Sequence, residues 1–171
     1  MAGYPGTDTI SRVRRRRTQD SMSFPYVHSD VLMLSSTGSS ASAGSFSWIA
    51  LYNNASTGWY LHIVGLLAWA QGTTAEAVMF RSQGVPSGSV IIPATPVDPN
   101  SPALWGQMYF GTAASLPSSP ILHMGGNNYP VEWSYDFPVC ILQAGYSLYL
   151  YANVIDTAVS GSMAWLALQH S

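Results

Sequence analysis

The chain has no lysine, a single cysteine and few charges of either sign. Charged residues make up 8% of its 171 residues, about a third of the ~25% common in globular domains. A surface this poor in ionised groups is not that of an ordinary free cytosolic monomer, which stays apart from its neighbours by solvated charge. Ser, Thr, Gly, Asn and Gln take the place of charge, and a neighbour covers them at little cost because no full charge is desolvated. The composition therefore points to burial in an oligomer or to exposure outside a cell.

One cysteine, Cys140, excludes an intrachain disulfide, and its apolar flanks in FPVCILQ predict a buried small side chain rather than a nucleophile. The longest apolar run, WYLHIVGLLAWA, falls short of the ~20 residues of a membrane helix and contains His62. No apolar stretch follows the basic cluster near the start, so neither export by a secretory signal nor a membrane anchor is expected.

Chemistry-bearing motifs are scarce as well. His28, His62, His123 and His170 stand at no recognisable metal-ligand spacing, and there is no G-x-S-x-G elbow, phosphate-cradling glycine motif or EF-hand loop. Glu132 and Asp136 in PVEWSYDFP form the one candidate acid pair, but Phe137 and Pro138 predict a turn that spoils a shared face. The expectation is a protein without catalysis, cofactor or metal.

What the sequence does have is segregated charge. Five of its six basic residues, Arg12, Arg14, Arg15, Arg16 and Arg17, lie in SRVRRRRTQD, leaving Arg81 alone against eight acids in the remainder. Residues 1–29, broken by Gly3, Pro5, Gly6 and Pro25 and lacking apolar periodicity, read as an extended basic arm ahead of a domain over 30–171. Such guanidinium groups pair with carboxylates of a protein or with nucleic-acid phosphates, or remain a solvated tail; a nuclear-import signal looks similar. Because the remainder carries no second basic patch, a protein surface is the first expectation and nucleic acid the second.

After a Ser/Gly loop over 35–45, the sequence turns to β-signals. Runs such as FSWIALYN, AVMFRSQ, LWGQMYFG and YSLYLYANV are bounded by Gly, Pro, Asn and Ser. NNASTG, residues 53–58, has the length and chemistry of a hairpin connection, and LQAGYSLYLYANV with IDTAVSGSMAWLALQ reads as a second hairpin pair. Leu148 and Leu150 define an oily face, whereas Ser147, Tyr149, Tyr151 and Asn153 define an aromatic, polar one suited to a subunit contact. TTAEAVMF alone competes as a helix, and the prolines at 86, 93, 96, 99 and 102 predict one strand followed by a stiff loop. Eight to ten strands with a long crossover predict an all-β, jelly-roll-like two-sheet sandwich.

LHMGGNNYPVEW places His123, Asn127, Asn128, Tyr129 and Trp133 in one glycine-containing stretch, and aromatic faces with amides are the groups a sugar site uses. The alternative reading of these residues is a tight turn with packed aromatics.

FSWIALYNNASTGWYLHIVGLLAW and LQAGYSLYLYANVIDTAVSGSMAWLAL resemble, in layout, the β-sandwich structural proteins of bacteriophage virions, capsid decoration proteins among them. The likeness covers residues 46–70 and 140–168, including the turn from Gln143 to Leu148 that opens the last strands. It implies a non-enzymatic virion protein, a homo-oligomer and most simply a trimer, that attaches to a capsid by its N-terminal arm. The arginine run is not a hallmark of that group. Two alternatives stand beside it: a carbohydrate-binding module, and a jelly-roll coat protein whose arm contacts the packaged genome.

Overall fold

Leucine, aromatic and β-branched residues recur here in short runs cut by turn residues, and each run becomes a strand. The computed structural model describes residues 32–72, 74–87, 92–96, 100, 105–124, 131–134 and 138–169, with the backbone alone at 32–34, 36 and 131–134. The expected arm and its five arginines lie outside the described residues.

The strands are β1 (Leu32–Ser39), β2 (Phe46–Tyr52), β3 (Trp59–Ala70), β4 (Ala77–Gln83), β5 (Ile92–Pro93) and β6 (Thr95–Pro96), followed by β7 (Gln107–Ala113), β8 (Leu122–Met124), β9 (Val131–Ser134), β10 (Cys140–Gln143), β11 (Tyr146–Ala152) and β12 (Val159–Gln169). They form two six-stranded antiparallel sheets packed face to face. One runs β10-β3-β12-β1-β6, with β9 beside the second half of β3; the other runs β5-β7-β2-β11-β4-β8.

The pairing is nested. β1 pairs with β12, β2 with β11, β3 with β10 and β9, and β4 with β8, as in one long hairpin. Rolling that hairpin up adds the β3–β12 and β4–β11 pairs. The pairing order is jelly-roll-like, within the all-β two-sheet sandwich expected from the sequence. The long connection between β4 and β8 adds β6 to the β1 edge and β7, with β5, to the β2 edge.

Several local expectations change. β2 and β3 lie in different sheets, as do β11 and β12, so NNASTG and the 153–158 turn are arches between sheets rather than hairpins. Turn chemistry is the same in both, so the sequence does not separate them. AVMFRSQ is strand β4, not helix, because Ala77 and Met79 are fully buried on the inner face and Val78 and Phe80 on the outer one. The proline-rich stretch contributes two-residue edge strands, where the lost N–H is tolerated. PVEW contributes β9, which pairs Trp133 with Leu66 and Glu132 with Leu67.

The inner faces supply one core, including Ile49, Leu61, Met108, Leu148 and Trp165. β3 stays in register with it through a bulge: Trp165 pairs with Ile63 but Ala164 with Gly65, leaving Val64 as the extra residue. The bulge switches the inward set from Leu61 and Ile63 to Leu66, Ala68 and Ala70; without it the second half of the strand would turn its core residues outward.

The roll has two ends. At one, the fully buried Asn53 donates from Nδ2 to the Leu142 carbonyl at 2.8 Å and the Trp59 carbonyl at 3.2 Å, while its Oδ1 accepts from the Ala55 N–H at 3.0 Å. A single side chain thus joins the end of β2 to β3 and β10 in the opposite sheet. Beside it, Trp165 donates its indole N–H to the Trp105 carbonyl at 2.8 Å and lies over Gly106, whose φ of 117° suits only glycine. At the other end, Gly44 donates to Asp156 Oδ1 at 2.6 Å, and Asn153 exchanges backbone and side-chain hydrogen bonds with Glu76. Among the described residues no buried side-chain polar atom is without a partner.

Asn53→Ala removes the donor used by two carbonyls and is expected to cost about 2 kcal/mol, a fall in Tm of about 4–8 °C. Gly106→Ala drives a methyl into the Trp165 ring and should cost at least as much. Thermal unfolding followed by circular dichroism measures both; a wild-type Tm in Asn53→Ala would refute the tie.

Candidate functional site

The sequence-level candidates scatter. Asn127, Asn128 and Tyr129 lie outside the described residues, as do Arg12, Arg14, Arg15, Arg16 and Arg17 and the acid-pair partner Asp136. His123 lies in β8, at the edge of one sheet, and Trp133 in β9, at the edge of the other, so the stretch between them crosses from sheet to sheet. His123 is exposed, with Nδ1 3.5 Å from Glu76 Oε2. Among the described residues no three His, Cys, Asp or Glu side chains gather as a metal site. Cys140 is half-buried against the core, and burial pushes its thiol pKa up.

The face expected from β11 to receive another subunit is more complex. Trp48 of β2, Phe80 of β4, Tyr109 of β7 and Tyr151 of β11 all point away from the core, yet each is buried. They cover one another: Trp48 meets Tyr149 edge-on at 5.3 Å, Phe80 meets Tyr151 edge-on at 5.4 Å, and Tyr149 stacks on Tyr151 at 5.8 Å. β7 and β8 flank this sheet with β2, β11 and β4 between them, so segment 114–121 must span it, and Leu116 packs on the aromatic cluster on the way. The chain itself therefore occupies most of a face expected to await a partner. The signal was present in Trp48, Phe80 and Tyr109, which alternate with core residues on their own strands.

Open apolar surface lies elsewhere. Ile141 on β10 is 42% exposed, Ile121 before β8 50% and Val85 after β4 57%. β10 and β8 are edge strands on the same side of the sandwich, because β3 faces β4 and β10 faces β11 across the core. The ionised side chains among the described residues are Glu76, Arg81 and Asp156, and Arg81 rests over the Tyr146 ring at 5.8 Å. Among the described residues the outermost strands are two to four residues long, whereas Ser35–Ser39 of β1 and Tyr109–Ala113 of β7 pair with no strand on their outer side.

No protein-family model, curated protein or solved structure matches this chain. The site is accordingly read from its own chemistry: an edge with exposed apolar side chains, hydrogen-bonded polar ends, and a basic segment that precedes β1 in sequence.

Burial pushes the Tyr151 phenol from 10.0 up to about 12, with Tyr149 adding to the rise, and burial also raises Tyr149 and Tyr109. A raised folded pKa means that the neutral phenol stabilises the fold fully below about pH 10 and that this contribution fades as pH climbs through about 12. Alkaline titration of phenolate absorbance should show a late step near pH 12 that Tyr151→Phe removes. A wild-type titration without the late step would mean that the aromatic face is open to water.

Proposed function

We propose that this protein is a non-enzymatic structural subunit of a virion, a capsid decoration or cement protein. In this reading the jelly roll associates with copies of itself, most simply as a trimer, and the basic N-terminal segment grips another virion protein. The observation that carries the proposal is the division of charge. Four charged residues, Glu76, Arg81, Glu132 and Asp156, stand in the whole described sandwich, whereas five guanidinium groups stand within residues 12–17.

The physical argument runs from desolvation. Copies can approach along the side that bears Val85, Ile121 and Ile141, where there is apolar area to bury and where Arg81, resting over Tyr146, and Glu76, beside His123, are the described ionised side chains to be paired or stripped of water. The basic segment cannot share in that contact without acidic partners. It is free to bind carboxylates on a second protein by two-pronged hydrogen bonds.

A second reading, a coat subunit whose arm contacts the packaged genome, draws support from the strand order, since double-sheet jelly rolls build viral shells. The two readings differ in salt dependence. Five phosphate contacts give a slope of roughly −4 to −5 in log K against log salt on duplex DNA.

Native mass spectrometry of the full chain should give a closed oligomer, a trimer in the simplest case, and the double variant Ile121→Glu/Ile141→Glu should shift it toward monomer. A wild-type monomer at micromolar concentration would refute self-association. Deleting residues 1–20 should leave the oligomer intact and abolish attachment to capsid particles. Retained attachment would refute the arm's role, and loss of steeply salt-dependent nucleic-acid binding instead would favour the coat reading.

A further inference from the structure

The outward face of the β3 sheet carries a groove that nothing in the foregoing uses. Register aligns Gly38 of β1, Ser160 of β12 and Trp69 of β3 in one row across three strands. Trp69 follows Ala68 and precedes Ala70, both fully buried, so its ring projects from the opposite face, where it is 39% exposed. Its neighbours in the row have almost no side chain, so the indole stands as a wall beside a low floor. The resulting groove encloses about 310 Å³, the lower end of the ~300–1,000 Å³ of small-molecule sites. Gln71, Ser39 and Ser40 complete its rim.

The lining selects a ligand class. Among the described residues no ionised side chain lines the groove, so an anion or cation would find no counter-charge from them to replace its water. Ser39 is committed, donating to the Gly111 carbonyl at 2.7 Å across the sandwich. The Gln71 amide and the hydroxyls of Ser40 and Ser160 are engaged by no other described residue. The Gln71 backbone N–H donates to the Ala158 carbonyl at 2.8 Å, which fixes the place from which that amide works. A large flat aromatic face, one amide and neutral hydroxyls are complementary to a ring with C–H groups on one face and hydroxyls around its rim. We propose that this groove binds a neutral hexose unit of a glycan, with Trp69 as the stacking platform and Gln71, Ser40 and Ser160 as hydroxyl partners.

The test uses the full-length chain in its native oligomer. An array of neutral glucose-, galactose- and mannose-terminated oligosaccharides, with sulfated glycans and inorganic phosphate as controls, is followed by NMR titration of the indole N–H signals with the best-binding neutral glycan. The expected result is binding to neutral glycans that shifts the Trp69 indole signal, falls at least tenfold in Trp69→Ala and Gln71→Ala, and persists in Trp133→Ala. Both substituted groove residues are exposed, and circular dichroism verifies the fold. No neutral glycan bound, a Trp69 signal that does not move, binding only to charged probes, or affinity that survives both groove variants would overturn the proposal. None of these outcomes bears on self-association, which is read separately by mass.

Discussion

β1 must find β12, β2 must find β11 and β4 must find β8, so each half of the chain depends on the other before either sheet exists. Leu32 pairs with Leu166, almost the whole described length away. Closing such loops costs entropy that is returned only when the core forms, which makes folding slow and collective. The two ends of the roll show how the closed state is held. At one, the Asn53 amide bridges strands of opposite sheets through neutral hydrogen bonds. At the other, Asp156 holds the 40–45 loop against the turn between β11 and β12, adopting a φ of 59° to do so. A non-glycine residue in that region is uncommon, and here it carries the hydrogen bond that the loop needs.

Periodicity made the strands legible, but not where each one goes. Leu148 and Leu150 against Tyr149 and Tyr151 gave the inward face of β11 directly, because a half-buried strand has a period of two. WYLHIVGLLAWA hid its register: both sides of β3 are apolar, and the switch at Val64 and Gly65 is a bulge that only the pairing with Ala164 and Trp165 reveals. Hairpin and arch were equally indistinguishable, since Asn53 to Gly58 has suitable turn chemistry for either, and what decides is a side-chain amide reaching the Leu142 carbonyl from far along the chain. β9 was obscured by its own composition, a short strand beside glycines, asparagines and a proline. Of the candidate sites, the exposed histidine at 123 was placed, whereas the groove at Trp69 was not foreseen. Gly38, Ser160 and Trp69 are distant in sequence and meet only through register.

Scarcity of charge shapes the surface as much as the core. With few carboxylates or ammonium groups to solvate it, the sandwich relies on three devices: aromatic residues that cover one another on the outer β2–β11–β4 face, a crossing segment that lays Leu116 over them, and serine hydroxyls bonded to backbone carbonyls. Each device satisfies polar atoms or buries apolar area within one chain. What they leave uncovered among the described residues includes the lateral edge and the Trp69 groove, besides Leu67 and Ile155, and those first two places, rather than the β11 face, carry the proposed contacts.

The two ends of the roll divide the remaining work. Leu32, the first described residue, and the end of β12 both lie at the Asn53 end, and in sequence the basic segment precedes Leu32. Charge screening falls off over roughly 8 Å at physiological ionic strength, so arms on neighbouring copies repel one another only when brought close. Under the proposed function, association of the charge-poor sandwiches would bring them close, and a partner rich in carboxylate or phosphate would relieve the repulsion. Under the virion reading, self-association and attachment would therefore be coupled through electrostatics: the body supplies an interface poor in charge, and the arm makes that assembly most favourable where an anionic surface is at hand.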